Sequence, residues 1–397
     1  MTAWGSATRR STTVFEERMM VRSRQRIAFS FGAALLAFGS AGCLPEPDAV
    51  TVQKPVVEAQ EEVTDEALIA RIDAVLDFTY RERILDVKDQ AAWQIMHGVL
   101  AYGEKFPLRD GDRIVGTVDY LADGGVMKGW DVVPGKVFDG PSEIRGVSTL
   151  LDLGSKAGQG HADQWVGYMA HAGIPLDQTF RIGDQTFSMR GFLEQAKWEA
   201  PRNTQLEYSW TLMALSQYES TAATWTAIDG ETWSVDRLLE IEAEYALGDG
   251  PCGGCHRLVG LALICEKRRR EGLPIEGPWA TAIARLDAGV EGAKAYQNAD
   301  GTFSTNYLAR GGTTSDLAQI LGTSGHVFEV LAIHLPDERL REPWVQRGAT
   351  RMAEVFEATR GFPLECGALY HAVHGLLLYR NRLAGSPYVP PSDVLAP

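Results

Sequence analysis

The stretch DGPCGGCHRLVGLALICEKR, residues 249–268, joins the densest set of metal-type ligands in the chain to the start of an apolar segment. Cys252, Cys255 and His256 lie within five residues. The apolar residues at positions 258–264 cover nearly all sides of a helix, which is typical of a helix packed on more than one side. The two glycines before Cys255 allow a tight turn, and helix N-terminal amides favour thiolate over thiol. We therefore predict an internal helix with reactive groups in its first turn.

Five other apolar segments have the same character and begin near Trp93, His161, Glu207, Ser324 and Leu369. Amphipathic, charge-bearing segments alternate with them. These begin near positions 66, 186, 232, 278 and 341, and residues 144–153 are assigned to a sixth. The apolar segments recur about every 55 residues between His97 and His371, a spacing that suits a helical hairpin with a long loop. The sequence thus predicts six inner and six outer helices.

Six helical hairpins predict an all-α fold, an (α/α)6 toroid, because each inner helix must bury two faces and each outer helix only one. An open helical solenoid is the alternative. Closure is favoured because the last segment, ECGALYHAVHGLLLY (365–379), is as apolar as the middle ones, whereas a solenoid needs a polar cap. Residues 105–140 contain alternating apolar residues and two Gly-rich turns, so we predict a small β-hairpin insertion there.

The N-terminus has the order of an export signal. Three arginines at positions 22–26 precede an apolar run, and small residues then lead to Cys43. The run is too short for a comfortable transmembrane helix. The sequence SAGC (40–43) resembles a bacterial lipobox, in which the cysteine is lipidated, although Ser40 stands where an aliphatic residue is usual. A secretory peptide without lipid is the alternative.

These features predict four parts: a lipoprotein signal peptide (1–43), a flexible Pro-rich and acidic tether (44–63), the toroid (64–385) and a C-terminal tail (386–397). Lipid on Cys43 would make the membrane a partner and place the protein at the outer membrane or cell surface, with a periplasm-facing position as a second option. With 38 Lys+Arg against 52 Asp+Glu, the chain has a net charge of −14. That balance argues against nucleic acid as a partner.

The segment QNADGTF, which contains Gln297, Gly301 and Phe303, resembles the Q-x3-G-x-W/F repeat of the squalene cyclase and protein prenyltransferase superfamily. In that superfamily the repeat ties an outer helix to the following inner one. The segment ECGALYHAVHG is similar to a late inner helix of prenyltransferase β subunits, which implies a zinc-binding role for His371. Their D-x-C motif is not matched, because Asp249 and Cys252 are one residue too far apart.

Lanthionine cyclases share the toroid and bind zinc through an adjacent Cys-His pair and a cysteine from another inner helix. Cys255 and His256 together with Cys366 resemble that set in a different chain order. The two resemblances together imply a zinc site formed from Cys255, His256, Cys366 and His371. The chain also looks like a group of exported bacterial lipoproteins, which implies a fold more than a function.

Six of the eight histidines lie at or near predicted inner-helix starts, and they are His97, His161, His256, His326, His371 and His374. His171 and His334 lie at the far ends. In a toroid all inner N-termini face one mouth, so we expect these six to form a ring there. A lone histidine at such a place is usually a satisfied core residue, but six together favour a shared site.

The same mouth supplies the candidate catalytic residues His161, Glu207, Tyr208 and His326, because Glu207 and Tyr208 occupy the equivalent position in the third inner helix. Glu329 and Glu365 are nearby carboxylates that can act as a base or orient a histidine.

Two alternatives use the same cysteines differently. Cys252, Cys255 and His256 form the CxxCH pattern of c-type haem attachment, and export would place the chain where that haem is installed. A disulfide between Cys252 and Cys255, or one involving Cys366, suits an oxidising compartment. Cys265 lies mid-helix and is expected to be buried and inert.

Three classes of function stay open from the sequence. The first is a zinc-dependent enzyme that admits a small-molecule substrate to the mouth of the toroid. The second is a carbohydrate-active (α/α)6 enzyme acting on a glycan, in which Glu207, Tyr208 and His161 matter more than the cysteines. The third is a non-catalytic lipoprotein that binds an apolar ligand or a partner in its cavity.

Overall fold

Helices dominate the part of the chain that the computed structural model describes, which is residues 64–139, 143–205 and 207–395. The predicted signal peptide with Cys43 and the tether at 44–63 lie outside the described residues. The helices of the described part are α1 Asp65–Glu82, α2 Ala92–Tyr102, α3 Thr117–Ala122, α4 Gln164–His171, α5 Met189–Glu199, α6 Ser209–Tyr218, α7 Val235–Ala243, α8 Cys255–Arg270, α9 Pro278–Ala295, α10 Leu317–His334, α11 Asp337–Leu340, α12 Pro343–Ala358 and α13 Cys366–Ala384. The prediction of a mostly helical protein is confirmed.

The strands are short and form small sheets. They are β1 Leu85–Asp86, β2 Pro107–Asp110, β3 Arg113–Gly116, β4 Val132–Phe138, β5 Ile144–Thr149, β6 Thr179–Ile182, β7 Gln185–Ser188, β8 Thr224–Thr226 and β9 Thr232–Ser234. Antiparallel pairs join β2 to β3, β4 to β5, β6 to β7 and β8 to β9, and β1 runs parallel to β2.

Six helices, α2, α4, α6, α8, α10 and α13, are buried along most of their length. Each packs against the next one in chain order, and α13 also packs against α2. Five of them begin within three residues of the predicted positions. Their apolar residues surround the helix on nearly every side, so burial on several faces follows directly from the sequence.

The prediction for the fifth inner helix is wrong at its start. We expected α10 to begin near Ser324, but it begins at Leu317, where the Asp316 carboxylate accepts hydrogen bonds from the amides of Ala318 and Gln319. A Cβ atom at Gly325 would lie 2.6 Å from the amide nitrogen of Ala372, so this glycine permits close packing of α10 against α13 and does not end a helix. His326 therefore lies in the middle of α10.

Further helices pack against the six buried ones. Helix α1 packs against α12 and α13, and α5 packs against α6. Helix α9 packs against α7 and α8, and α12 packs against α10. The segment QNADGTF joins the end of α9 to this layer. The Gln297 amide donates hydrogen bonds to the carbonyls of Gly301 and Trp344, at 3.0 and 2.8 Å. The Phe303 ring contacts Phe328 of α10 and Trp344 of α12.

Residues 144–153 do not form the predicted outer helix. Their first six residues are β5, which pairs with β4. Gly146 cannot carry a side chain, since a Cβ atom there would lie 2.3 Å from the Gln195 side chain, and Val147 is buried in the core. The expected hairpin within 105–140 is present as β2 and β3, but the residues after it turn into the short helix α3.

Two further hairpins have no counterpart among the predicted elements. The pairs β6–β7 and β8–β9 lead directly into α5 and α7, two of the predicted outer helices, just as β2–β3 leads into α3. The Ser234 side chain caps α7 by accepting from the amide of Arg237. The same strand, turn, strand and helix unit thus occurs three times between residues 107 and 243.

The C-terminal tail lies on α1. The Tyr388 hydroxyl donates to Asp77, and Arg81 pairs with Asp393 at 2.6 Å. Helix α13 ends at Ala384, and Gly385 takes the left-handed conformation that commonly follows a helix. None of the helices within the described ranges is long and apolar enough to cross a membrane.

Candidate metal centre

The start of α8 presents Cys252 and His256 to the same side. A 3-10 turn at Pro251–Gly254 precedes the helix, with Cys252 and both glycines in the left-handed region. A left-handed conformation is costly for a residue with a Cβ atom, and such strain is held by the surrounding structure and is common at functional sites. Cys252 is half-buried as a result, whereas Cys255 is buried completely in the core.

Three donor atoms from Cys252, His256 and His326 lie within 4.8 Å of one another. The His326 Nδ1 atom bonds to the carbonyl of Gly322 at 2.6 Å, and its buried Nε2 atom has no hydrogen-bond partner. Both ring nitrogens of His256 are also buried without a hydrogen-bond partner. A metal-binding histidine commonly fixes one nitrogen through a carbonyl or carboxylate and leaves the other for the ion, and His326 has this arrangement.

A second group shares His256 and consists of His161, Glu207 and His256, again with donor atoms within 4.8 Å of one another. His161 Nδ1 donates to Glu207 Oε2 at 3.0 Å, and the Ser209 hydroxyl donates to Oε1 at 3.1 Å. His256 Nδ1 is 3.6 Å from Oε1, outside hydrogen-bond range. Burial by itself raises the pKa of Glu207, but His161 and His256 outweigh it and hold that pKa well below its usual range.

A third cluster surrounds Glu329 and is more deeply buried. His371 Nδ1 lies 2.9 Å from the carboxylate and His374 Nδ1 lies 2.6 Å from it. The Nε2 atom of His374 lies 2.8 Å from the Nε2 atom of His171, so His171 also belongs to this cluster. The sequence predicts His171 and His374 at opposite ends of their helices, but the structure puts them in contact. They meet because His171 is the last residue of the short helix α4, while His374 lies nine residues into α13.

Ring contacts join five of the six histidines expected to share a site. His161 lies 4.9 Å from His256, and His256 lies 5.1 Å from His326, measured between ring centroids. His326 and His371 are 3.9 Å apart, and His371 lies 5.2 Å from His97. The sixth, His374, is joined to them through Glu329. Five side chains from α2, α8, α10, α13 and the loop before α4 therefore form one continuous cluster.

The predicted zinc ligands are placed differently from the expectation. Among the described residues, the two groups of donor atoms do not include Cys255, Cys366 or His371. Successive residues of an α-helix point about 100° apart, so Cys255 and His256 cannot face one point once α8 begins at Cys255. Burial raises the pKa of the Cys255 thiol well above its usual value and that of Cys366 to about 12. His256 alone is shared between the predicted set and these groups.

The remaining predicted residues have other contacts. The Tyr208 hydroxyl donates to the carbonyl of Ala200 at 3.1 Å, and its amide donates to Glu242, so its polar groups bond away from His161. Glu365 accepts from the amide of Ala368 at the start of α13 and pairs with Lys156. No disulfide joins the four cysteines in the described ranges.

Two aromatic residues next to the donor groups, Tyr307 and Trp210, are not among the predicted site residues. Tyr307 lies over the Cys252 turn, where a Cβ atom on Gly253 would come within 2.5 Å of the Tyr307 side chain. Its ring is 6.2 Å from that of His326. Trp210 packs 5.1 Å from His256. Neither residue belongs to a motif with metal-ligand spacing, so the sequence carried no signal for either one.

A cavity of about 870 Å³ lies elsewhere, at the C-terminal ends of α8, α10 and α13. Leu263, Ile333 and Leu378 contribute apolar surface, and His334 and Arg382 contribute polar groups. Because the histidine cluster involves the opposite part of α8, cavity size and donor chemistry point to different places. Donor chemistry is the better guide to a metal site, since an ion needs convergent ligands and little volume.

The arrangement can hold a metal ion, but its identity has to be argued from the donors. The sequence matches no protein-family model, and neither a curated protein nor a solved structure matches it significantly.

Proposed function

We propose that the chain is a zinc-dependent enzyme whose ion is held by Cys252, His256 and His326. The observation that carries this proposal is the convergence of three donor atoms within 4.8 Å, two of them on buried histidines with unpartnered nitrogens. A buried polar atom without a partner costs about 1–3 kcal/mol. An ion bound at these nitrogens would remove that cost.

The donor types favour zinc. Thiolate and imidazole ligands suit zinc, whereas magnesium and calcium take oxygen ligands. Three protein ligands leave the fourth tetrahedral position for water or substrate, as in catalytic zinc sites. The ion would supply a polarised water at that position. Glu207 lies 3.6 Å from Nδ1 of His256, so its carboxylate would help to orient that ring beside the ion.

We propose a six-hairpin (α/α)6 toroid as the scaffold. Support comes from the packing of six buried helices in chain order, with the last against the first. The contacts of Gln297 and Phe303, which connect α9 with α10 and α12, support the resemblance to the squalene cyclase and prenyltransferase superfamily. The proposed enzyme stands off a membrane through lipid on Cys43 and the tether at 44–63, at the outer membrane or cell surface.

The c-type haem alternative has less support. Haem attachment needs both cysteine sulfurs and one histidine face to be accessible. Cys255 is fully buried, and the rings of His161, Trp210 and His326 lie within about 5 Å of His256. A haem would have to displace these side chains.

The carbohydrate-active alternative is also weaker, because Tyr208 bonds away from the cluster and Glu207 is engaged by histidines. Non-catalytic binding of an apolar ligand draws support from one observation, the cavity of about 870 Å³ with apolar residues in its lining. That function would leave the unpartnered nitrogens of His256 unexplained.

Metal analysis of the purified full-length chain tests the zinc site. We expect bound zinc after dialysis, and we expect C252S and H326A each to lose one equivalent. C265S and H334A are matched controls, since Cys265 lies in the same helix as His256 and His334 in the same helix as His326, and neither belongs to a donor group. Wild-type protein that binds no metal after zinc loading, or C252S and H326A that retain the full amount, would overturn the proposal.

A further inference from the structure

We infer that His256 bridges two metal ions, and that His161 and Glu207 hold the second ion. This second site rests on the zinc site proposed above, because the two share one imidazole. It makes the centre binuclear, which is an arrangement suited to reactions in which both an attacking and a leaving oxygen need a cation.

The geometry provides two donor sets that meet at His256. Cys252 and His326 belong to one set, and His161 and Glu207 belong to the other. An imidazole ring has two nitrogens on different sides, so it can contact one ion through each. His256 is 5% exposed, its two nitrogens have no hydrogen-bond partner, and Nδ1 is directed towards Glu207 at 3.6 Å. A bridging ring must lose its N–H proton, which passes to solvent as the second ion binds.

The charge at Glu207 also favours a cation. Its carboxylate is 2% exposed, and its ion-pair partners within the described residues are His161 and His256. The neighbouring buried carboxylate of Glu242 has a different partner, the guanidinium of Arg257 at 2.5 Å. A buried anion is stable only when it is paired, and histidine supplies a positive charge only when protonated. A divalent ion at Glu207 would provide the permanent charge that arginine provides at Glu242.

Glu329 shows why the second ion belongs at Glu207. Both histidines of Glu329 contact its carboxylate directly, at 2.9 and 2.6 Å, so its acceptor capacity is already used by close donors. At Glu207 the second histidine stays 3.6 Å away and has no hydrogen-bond partner. The wider spacing leaves room for an ion between donors, and the Glu329 cluster is not among the donor groups of the described residues.

Metal stoichiometry of the full-length protein tests the bridge. We expect two zinc equivalents in the wild type and one in E207Q, H161A, C252S or H326A. E329Q is the matched control, because Glu329 is also buried with two histidine partners but belongs to neither donor group. This variant should keep two zinc equivalents. Circular dichroism identifies any variant that fails to fold, and E207Q changes the side chain least. Replacement of zinc by Cu²⁺ gives a second readout by electron paramagnetic resonance. Two bridged Cu²⁺ ions couple magnetically and weaken the signal of the wild type, whereas E207Q should show the signal of an isolated ion.

The outcomes separate the two proposals. In one outcome the wild type binds one zinc equivalent that is lost in C252S and H326A but kept in E207Q and H161A. That result would overturn the second site and leave the zinc site standing. One equivalent that only E207Q and H161A remove would overturn the ligand set of the proposed function as well as the bridge. Two equivalents with uncoupled Cu²⁺ signals would rule out a shared imidazole.

Discussion

Glu207 and Glu329 are both buried glutamates with two histidine neighbours, but their surroundings differ. Both histidines of Glu329 bond to it directly, and their side chains are almost fully buried. One histidine of Glu207 bonds to it, the other is 3.6 Å away, and the His161 side chain is 15% exposed. A carboxylate that bonds directly to both neighbouring histidines is typical of a structural role, whereas a buried histidine with both nitrogens unpartnered, such as His256, calls for a ligand. We therefore propose that Glu329 stabilises the fold and that Glu207 takes part in the metal site.

The Glu329 network also orients His371 towards the cluster. With Glu329 ionised, the Nδ1 atoms of His371 and His374 donate to it. The Nε2 atoms of His171 and His374 lie 2.8 Å apart, so one of these two rings donates a hydrogen bond to the other. Burial lowers the pKa of His171 and of His371, so both rings are neutral. His371 is thereby held 3.9 Å from His326 in one orientation.

The largest expected effect is a loss of stability in E329A. This change leaves two buried imidazole N–H groups without an acceptor, at roughly 2 kcal/mol each, so we expect a loss of about 4 kcal/mol in the free energy of unfolding. E207A should cost less in metal-free protein, about 1–2 kcal/mol, because solvent can reach His161. Chemical denaturation with a chelator present gives both unfolding free energies. Equal losses for the two variants would remove the distinction between the clusters.

Metal removal should act through the two donor groups that share His256 and not through the Glu329 cluster. A ligand at a hundredfold excess over its dissociation constant stabilises the folded state by about 2.7 kcal/mol. We therefore expect a chelator to lower the melting temperature of the wild type and of E329Q. H256A lacks the histidine common to both donor groups, so its melting temperature should not respond. A chelator effect that persists in H256A would place the metal elsewhere.

The sequence predicted five of the six buried helices closely, because apolar residues surround each of them on nearly every side. Helices α2, α6 and α8 begin close to the predicted positions, since apolar residues surround them. Helix α10 was misjudged because GTSG at 322–325 looks like a break, while Ala372 of α13 requires a glycine there. The hairpins β6–β7 and β8–β9 were missed since strands of three or four residues give too little alternation to detect.

The sequence indicated which types of residue gather at the site, but not which of those side chains contact one another. The concentration of histidines was evident from the sequence, and the structure joins His97, His161, His256, His326 and His371 through ring contacts. The choice between Cys252 and Cys255 depended on the left-handed turn before α8, which sequence spacing does not reveal. The sequence did not reveal the role of Glu329, because that role depends on a tertiary contact: two histidines of α13 bond to one carboxylate of α10.

The Glu329 cluster, which includes His171, should also make the free energy of unfolding depend on pH. Burial lowers the pKa of His171 to about 3, against about 6.5 for an unfolded histidine. The unfolded state therefore binds a proton that the folded state refuses, so stability falls as pH drops below about 6.5 and levels off near pH 3. From pH 7 to pH 5 this group should cost about 2 kcal/mol. Denaturation of wild type and H171Q at both pH values isolates the effect, and an unchanged pH dependence in H171Q would contradict it.

The smallest expected effect separates two cysteines at the start of α8. Cys252 is half-buried at the turn, whereas Cys255 is fully buried and burial raises its pKa well above the usual value. An alkylating reagent should therefore modify Cys252 first in metal-free protein, and zinc should slow that modification about tenfold, which corresponds to about 1.4 kcal/mol. Peptide mass spectrometry over time identifies the modified residue, and Cys265 in the middle of α8 is the internal control for unfolding. Modification of Cys255 before Cys252, or equal rates at Cys252 with and without zinc, would show that the Cys252 thiol does not face the ion.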